Sequence, residues 1–221
     1  MTNDEANLDV PMTHAGNAAA WPVRPEPPRL EEALYRQVPA SLDRPALVDR
    51  WIARATACSI KVHRAPAEDL PIALDVCLAP HQVTRSLLNA HEFDLAVTAY
   101  LAAKGVRVIP WGEPDCLEEA FTCELSVTDC RAGIADSGSV MVWSDAAFGR
   151  SSTLVVPIHI VLLPASQILP DLADALAFIQ RQGALPSNIV LINGPSKTAD
   201  IEMNLITGVH GPKHLHVVVL E

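Results

Sequence analysis

The chain carries no G-x-G-x-x-G segment, no C-x-x-C pair and no apolar run long enough to cross a bilayer, and each absence removes a class of function. Without the glycine fingerprint there is no sign of a dinucleotide held at a helix start, and no cofactor is evident from the sequence. The cysteines (Cys58, Cys77, Cys116, Cys123 and Cys130) are odd in number, and the last three recur at C-x6-C-x6-C, a spacing too wide for iron–sulfur cubes. They read as reduced thiols of a cytoplasmic protein, not as a disulfide framework. The longest apolar stretch, Leu154 to Ala165, is broken by His159 and two prolines, whereas a membrane span needs about 20 apolar residues. No membrane span is expected. Residues 1–10 lack a basic region leading into an apolar core, so no secretory signal is read there. Positive charge is also scarce. Sixteen Lys and Arg against 26 Asp and Glu leave a net charge of −10, which repels phosphate backbones and anionic lipid and argues against nucleic acid as a partner.

What is present is a folding pattern. With 49% hydrophobic residues in 221, the chain is long enough to bury a real core. Residues 1–30 hold five of the 18 prolines and no packing periodicity, which predicts an extended or disordered acidic arm. Residues 31–221 are read as a single α/β domain. Leu47, Trp51, Ile52 and Ala55 mark one face of a helix, and Cys58 to Val62 reads as a strand. Leu95, Ala99 and Ala102 mark a second helix that Gly105 stops before a strand at Val106 to Ile109. Leu125 and Val127 alternate with polar residues, Asp136-Ser137-Gly138 supplies turn chemistry, and Val140 to Trp143 resumes an apolar run, together suggesting a β-hairpin. Ile158 to Leu163 and Ile189 to Ile192 read as buried strands, separated by a helix from Asp171 with Leu172, Leu176 and Ile179 on one stripe. His214 to Leu220 is a closing strand. The sum is a mostly parallel central sheet flanked by helices, with a hairpin excursion.

Several segments carry chemistry. Gly194 to Thr198 is a small-residue loop after a strand, and a helix is expected to open near Ala199, an order that creates an anion site from free N–H groups. Ser196, Lys197 and Thr198 then face the ligand; equally, the hydroxyls cap the helix, with Asp200 and Glu202 complementing its dipole. Asp136, Ser137, Gly138 and Ser139 suit a ligand loop and suit an ordinary turn as well. Arg150 beside Ser151 and Ser152 is a fork for carboxylate or phosphate, or a solvated surface arginine. His159 in an apolar strand reads as a core residue. His210 and His214 have H-x3-H spacing, but Gly211 and Pro212 break the helix that would align them for a metal, so no metal site is expected. His210, on a glycine-flanked loop, is a candidate acid, base or hydrogen-bonding group.

The segments GIADSGSV (133–140), Arg150-Ser151-Ser152, PIHIVLLPASQI (157–168), LPSNIVLINGPSKTADIE (185–202) and GVHGPKHLHVVVLE (208–221) together resemble the LUD-domain family, in its cluster-free branch of lactate utilisation. The resemblance implies a sheet like that of the sugar-phosphate isomerase and CoA-transferase superfamily. It also implies a subunit of a complex that oxidises L-lactate to pyruvate, with iron–sulfur-cluster-bearing lactate utilisation proteins as partners. A small carboxylate or phosphate ligand would sit among Asp136, Ser137, Gly138, Ser139, Arg150, Ser196, Lys197 and Thr198. Where the family commonly has arginine this chain has Lys197, which keeps the charge and loses the bidentate fork. The alternative implied by the superfamily is a stand-alone enzyme acting on a phosphorylated or CoA-linked small molecule, with Asp200 or Glu202 as nucleophile or base and His210 moving protons.

Overall fold

The computed structural model describes residues 42–145, 148–183, 186–199 and 205–221. The acidic arm expected over residues 1–30 lies outside them.

Helix α1 (Arg44–Ala57) begins where Asp43 accepts the Ala46 N–H at 2.9 Å and Pro45 presets the first turn. Its apolar stripe buries Leu47, Val48, Trp51 and Ala55. Strand β1 (Lys61–Ala65) starts later than the apolar run at Cys58 suggests, because Cys58 closes the helix and Ser59 turns the chain at φ +70°. Helix α2 (Leu70–Leu78), β2 (Arg85–Asn89), α3 (Asp94–Ala103) and β3 (Arg107–Pro110) follow, with Gly105 at φ +74° ending α3 as expected. On α3 the buried face is Val97 and Leu101, whereas Leu95 is 88% exposed.

After the short helix α4 (Cys116–Ala120) comes β4 (Leu125–Asp129), and here the structure corrects the sequence reading. β4 is not the first arm of the hairpin but a fully buried strand, pairing parallel with both β2 and β7 (Ile158–Pro164). Its alternating polar residues do not face water. Thr128 Oγ1 lies 2.9 Å from His159 Nε2 on the neighbouring strand, and Ser126 is fully buried with no hydrogen-bond partner for its hydroxyl. The hairpin is instead β5 (Ala132–Ile134) with β6 (Ser139–Ser144), joined through the Asp136 turn.

The remaining elements are β8 (Ile168–Leu169), α5 (Leu172–Gln180), β9 (Asn188–Ile192), β10 (Lys197–Ala199), β11 (Leu205–Thr207) and β12 (His214–Leu220). Asp171 caps α5 by accepting the Asp174 N–H at 2.9 Å, but the buried face is Ala175 and Ile179; Leu172 and Leu176 are exposed. β9 is not a strand buried on both sides. It pairs antiparallel with β6 as an outer strand and leaves Ile189 and Leu191 exposed. Where a helix was expected to open near Ala199, Lys197–Ala199 form β10, which pairs antiparallel with β11, and residues 200–204, which would continue that helix, lie outside the described residues.

The main sheet has the order β1-β12-β7-β4-β2-β3 with every neighbour parallel. Side chains alternate faces along a strand. Thus Val217 and Val219 of β12 with Val161 and Leu163 of β7 pack against α1, while Val218, Leu220, Ile160 and Leu162 pack against α2 and α3. The second sheet, β8-β5-β6-β9, covers α1 on one face and carries α5 on the other. No described helix is long and apolar enough to cross a membrane.

The contact between α1 and the hairpin is close. Trp51 Nε1 donates to Ser139 O at 2.9 Å with the indole fully buried, and a Cβ on Gly138 would stand 2.3 Å from the Ala55 nitrogen. Gly138→Ala is therefore expected to cost about 3 kcal/mol or more, as steric conflict adds to the left-handed backbone cost. Gly105→Ala, with nothing within 4 Å of its added methyl, should cost only the backbone portion of about 1–2 kcal/mol. Equal losses in chemical denaturation would refute the close-packing account.

Candidate functional site

The residues read from the sequence fall into three places. The first is the Asp136 turn, which lies along α1. Asp136 accepts from Arg50 at 3.0 Å, Ser137 and Ser139 share a hydrogen bond between hydroxyls at 2.7 Å, and Gly138 rests on Arg54 and Ala55. The second is the Ser196 loop at the end of the same helix. Gly194 approaches Cys58 O so closely that a Cβ would lie 2.5 Å from it, and Lys197 Nζ donates to Ser59 Oγ at 2.8 Å. Ser196 is held to the start of β12: its N–H donates to Pro212 O at 2.9 Å, and its Oγ accepts the His210 N–H at 3.1 Å. The structure thus brings Ser196, Lys197 and His210 together. The Ser196 N–H, counted on as a free donor, is already partnered, and the residues directly after it form β10. Nothing is described of the Thr198 side chain, and Asp200 and Glu202 lie outside the described residues.

The third place is the 3-10 turn Arg150–Thr153. Ser152 Oγ donates to Gly149 O at 2.7 Å and accepts from Asn89 Nδ2 at 3.2 Å, which fixes this turn at the carboxyl end of β2. Lys197 belongs with the amino end of β12. Arg150 and Lys197 therefore attach to opposite ends of a parallel sheet.

The carboxyl ends of β2, β4 and β7 meet at a feature the sequence reading missed. A cavity of about 150 Å3 is lined by Glu92, Phe93, Asp129, Arg131, Trp143 and Gln167, among others. In open α/β sheets ligands settle beyond the carboxyl ends of the strands, where loops diverge and leave a crevice. Asp129 closes β4 there and is 8% exposed, and one of its carboxylate oxygens is buried without a hydrogen-bond partner. Burial pushes its pKa above the usual carboxylate range, against the opposing pull of Arg131 and His91. Arg131 stacks 5.0 Å from the Trp143 ring centre and pairs with Asp145 at 2.8 Å, yet its Nε is buried with no hydrogen-bond partner. Cavity walls of Trp143 and Phe178 stack with 5.9 Å between ring centres. An under-satisfied carboxylate beside an under-satisfied guanidinium nitrogen is a site able to take a small polar ligand. The available sequence signal was positional. A carboxylate closing a parallel strand sits where ligands bind, but β4 was read as a hairpin arm.

His159, by contrast, is a core residue as expected: burial lowers its pKa to about 3, so it is neutral and bonds Thr128.

Comparison with known proteins adds the following. The LUD domain family model matches residues 48–220. Lactate utilization protein C from Halalkalibacterium halodurans is 31% identical over 182 residues, covering 79% of each chain. The protein of that name from Geobacillus thermodenitrificans is 40% identical over 110 residues, with 48% of this chain and 46% of the relative covered. For that relative, and similarly for the one from Bacillus subtilis at 49%, the match spans about half of its length. The crystal structure of a DUF162 family protein from Deinococcus radiodurans matches with a TM-score of 0.58 and 21% identity, covering 81% of this chain and 99% of that one, which shows a shared fold.

Its raised pKa links Asp129 to stability. The native state holds this proton more tightly than the unfolded chain, so ionising Asp129 lowers stability as pH rises from the ordinary carboxylate range through the raised value, and the loss persists above it. Asp129→Asn is expected to raise the unfolding midpoint at neutral pH, with the gain shrinking below the ordinary carboxylate range. A gain independent of pH, or a loss at neutral pH, would count against the buried-carboxylate account.

Proposed function

The chain belongs to the LUD domain family, and from that membership we propose that it serves lactate utilisation as a cluster-free component of a system oxidising L-lactate to pyruvate. In this reading iron–sulfur-bearing partner proteins take the electrons, and this chain binds the small carboxylate. The observation that carries the reading is the likeness to lactate utilization protein C along 79% of both chains.

The cleft at the carboxyl ends of β2, β4 and β7 supports the choice of ligand. A 2-hydroxy acid presents a carboxylate and, one carbon away, a hydroxyl. Arg131 offers the guanidinium for the former, and the free carboxylate oxygen of Asp129 accepts from the latter. Glu92 adds like charge to the cavity wall, which sets the ligand carboxylate at Arg131, and the raised pKa of Asp129 makes its ionised form a stronger base than an ordinary carboxylate. Trp143 and Phe178 supply an apolar wall beside the short carbon chain. In this arrangement the ionised form of Asp129 accepts the hydroxyl proton when lactate is oxidised, and the Cα hydrogen leaves with its bonding electron pair, as hydride, to an acceptor carried by the partner proteins. Ser196, Lys197 and His210 form a second, more exposed anion position at the end of α1, and the cleft is preferred because its polar atoms are buried and lack partners.

Purified chain alone is expected to give no lactate-dependent dye reduction, and activity should appear when cluster-bearing partners are added; turnover by the isolated chain would overturn the subunit role. In calorimetry with pyruvate, Arg131→Ala should weaken binding at least about tenfold, since a hydrogen bond to a charged group contributes about 1.5–3 kcal/mol. Lys197→Ala should leave it unchanged. The reverse pattern would move the ligand to the Ser196 loop.

A further inference from the structure

At the other end of the sheet lies a cluster of side chains that the reading above leaves unused. His63 of β1, His216 of β12 and Cys77 of α2 offer ligand atoms that all lie within 4.8 Å of one another. Strand pairing explains the meeting. β1 and β12 run parallel with Lys61 opposite His216 and His63 opposite Val218, so both imidazoles lie on the sheet face that α2 covers. Cys77 is on the buried side of α2, fully inaccessible, and His216 is 2% exposed. The two rings stack at an interplanar angle of 8°, with His63 Nε2 facing His216 Nδ1 at 3.2 Å. His81 stands edge-on to His216, 5.8 Å between ring centres, and both His81 Nε2 and His216 Nε2 are buried without a hydrogen-bond partner.

We propose that His63, Cys77 and His216 form a binding site for a thiophilic metal ion, with Zn2+ as the reference ion and His81 beside the fourth position. The distances suit it. With zinc–nitrogen bonds of about 2.0–2.1 Å, two imidazole nitrogens on a tetrahedral ion stand about 3.3 Å apart, close to the 3.2 Å observed between His63 and His216. A nitrogen and a thiolate on the same ion stand about 3.6 Å apart, so Cys77 needs to close by at most about 1.2 Å from its 4.8 Å limit. One nitrogen and one sulfur type of donor, all neutral or anionic when bound, is the donor set such ions prefer. Binding moves the proton shared between the two rings to a far ring nitrogen and releases the Cys77 thiol proton to solvent, leaving a thiolate whose negative charge offsets the nearby Lys61 ammonium.

The full chain, stripped by chelator and titrated with Co2+ as a spectroscopic probe, tests this. One equivalent should bind and give a thiolate-to-cobalt charge-transfer band that Zn2+ bleaches. Cys77→Ala should abolish the band, Cys58→Ser should retain it, and His63→Gln, at a partly exposed position, should weaken Co2+ binding at least tenfold with the circular dichroism unchanged. If Cys77→Ala fails to fold, His63→Gln decides. Absence of the band in the unaltered chain, its survival in Cys77→Ala, or unaltered affinity in His63→Gln would overturn the site.

Discussion

The fold depends on how tightly α1 is clasped between two sheets. Its Trp51 is fully buried and bonds Ser139 O, while Gly133, Gly138 and Gly194 each bring backbone so near a neighbour that no side chain fits. Arg44 adds a hydrogen bond to Ile168 O at 2.6 Å and Arg50 an ion pair to Asp136. Buried polar atoms that lose their partners cost about 1–3 kcal/mol each, so this set of contacts favours one docking of the helix over near alternatives. The glycine-rich stretches around residues 133–139 and 194 are explained in large part by that clasp. Residues that look like ligand loops in one dimension are, in three, where one helix and two chain turns come within contact distance.

Once α1 is fixed, the two ends of the main sheet acquire different chemistry. The carboxyl ends of β2, β4 and β7 gather acids, an arginine and an amide around a small cavity. The amino ends of β1 and β12 gather imidazoles under α2. Between them the strands are apolar except for a few internal polar contacts such as Thr128 with His159. A parallel sheet places all strand ends of one kind on one side, which keeps the two sets of groups apart by the length of the strands.

The parts legible in the sequence were those determined by near neighbours. The α1 stripe, the Gly105 stop, the apolar runs of β7 and β12 and the turn at Asp136 follow from local periodicity and backbone preference. In β4, Ser126 and Thr128 imitate a solvent face in the sequence, and only pairing with β7, where His159 meets them, shows that they are internal. β9 was read as buried because Ile-Val-Leu-Ile carries no mark of its place at a sheet margin. Ala199 was assigned to a helix from the preceding loop, whereas its pairing with Leu205 makes it a strand. Asp129 owes its pKa to burial, and His63 meets His216 across 153 positions; neither relation is encoded in spacing.

The order of the main sheet also bears on how the chain matures during synthesis. β12, the last of the described strands to be made, occupies an interior slot between β1 and β7. Until it docks, β1 has no partner in that sheet and one edge of the largely apolar β7 is bare. Such open edges invite pairing with other chains. Docking of β12 is thus the step that closes the main sheet.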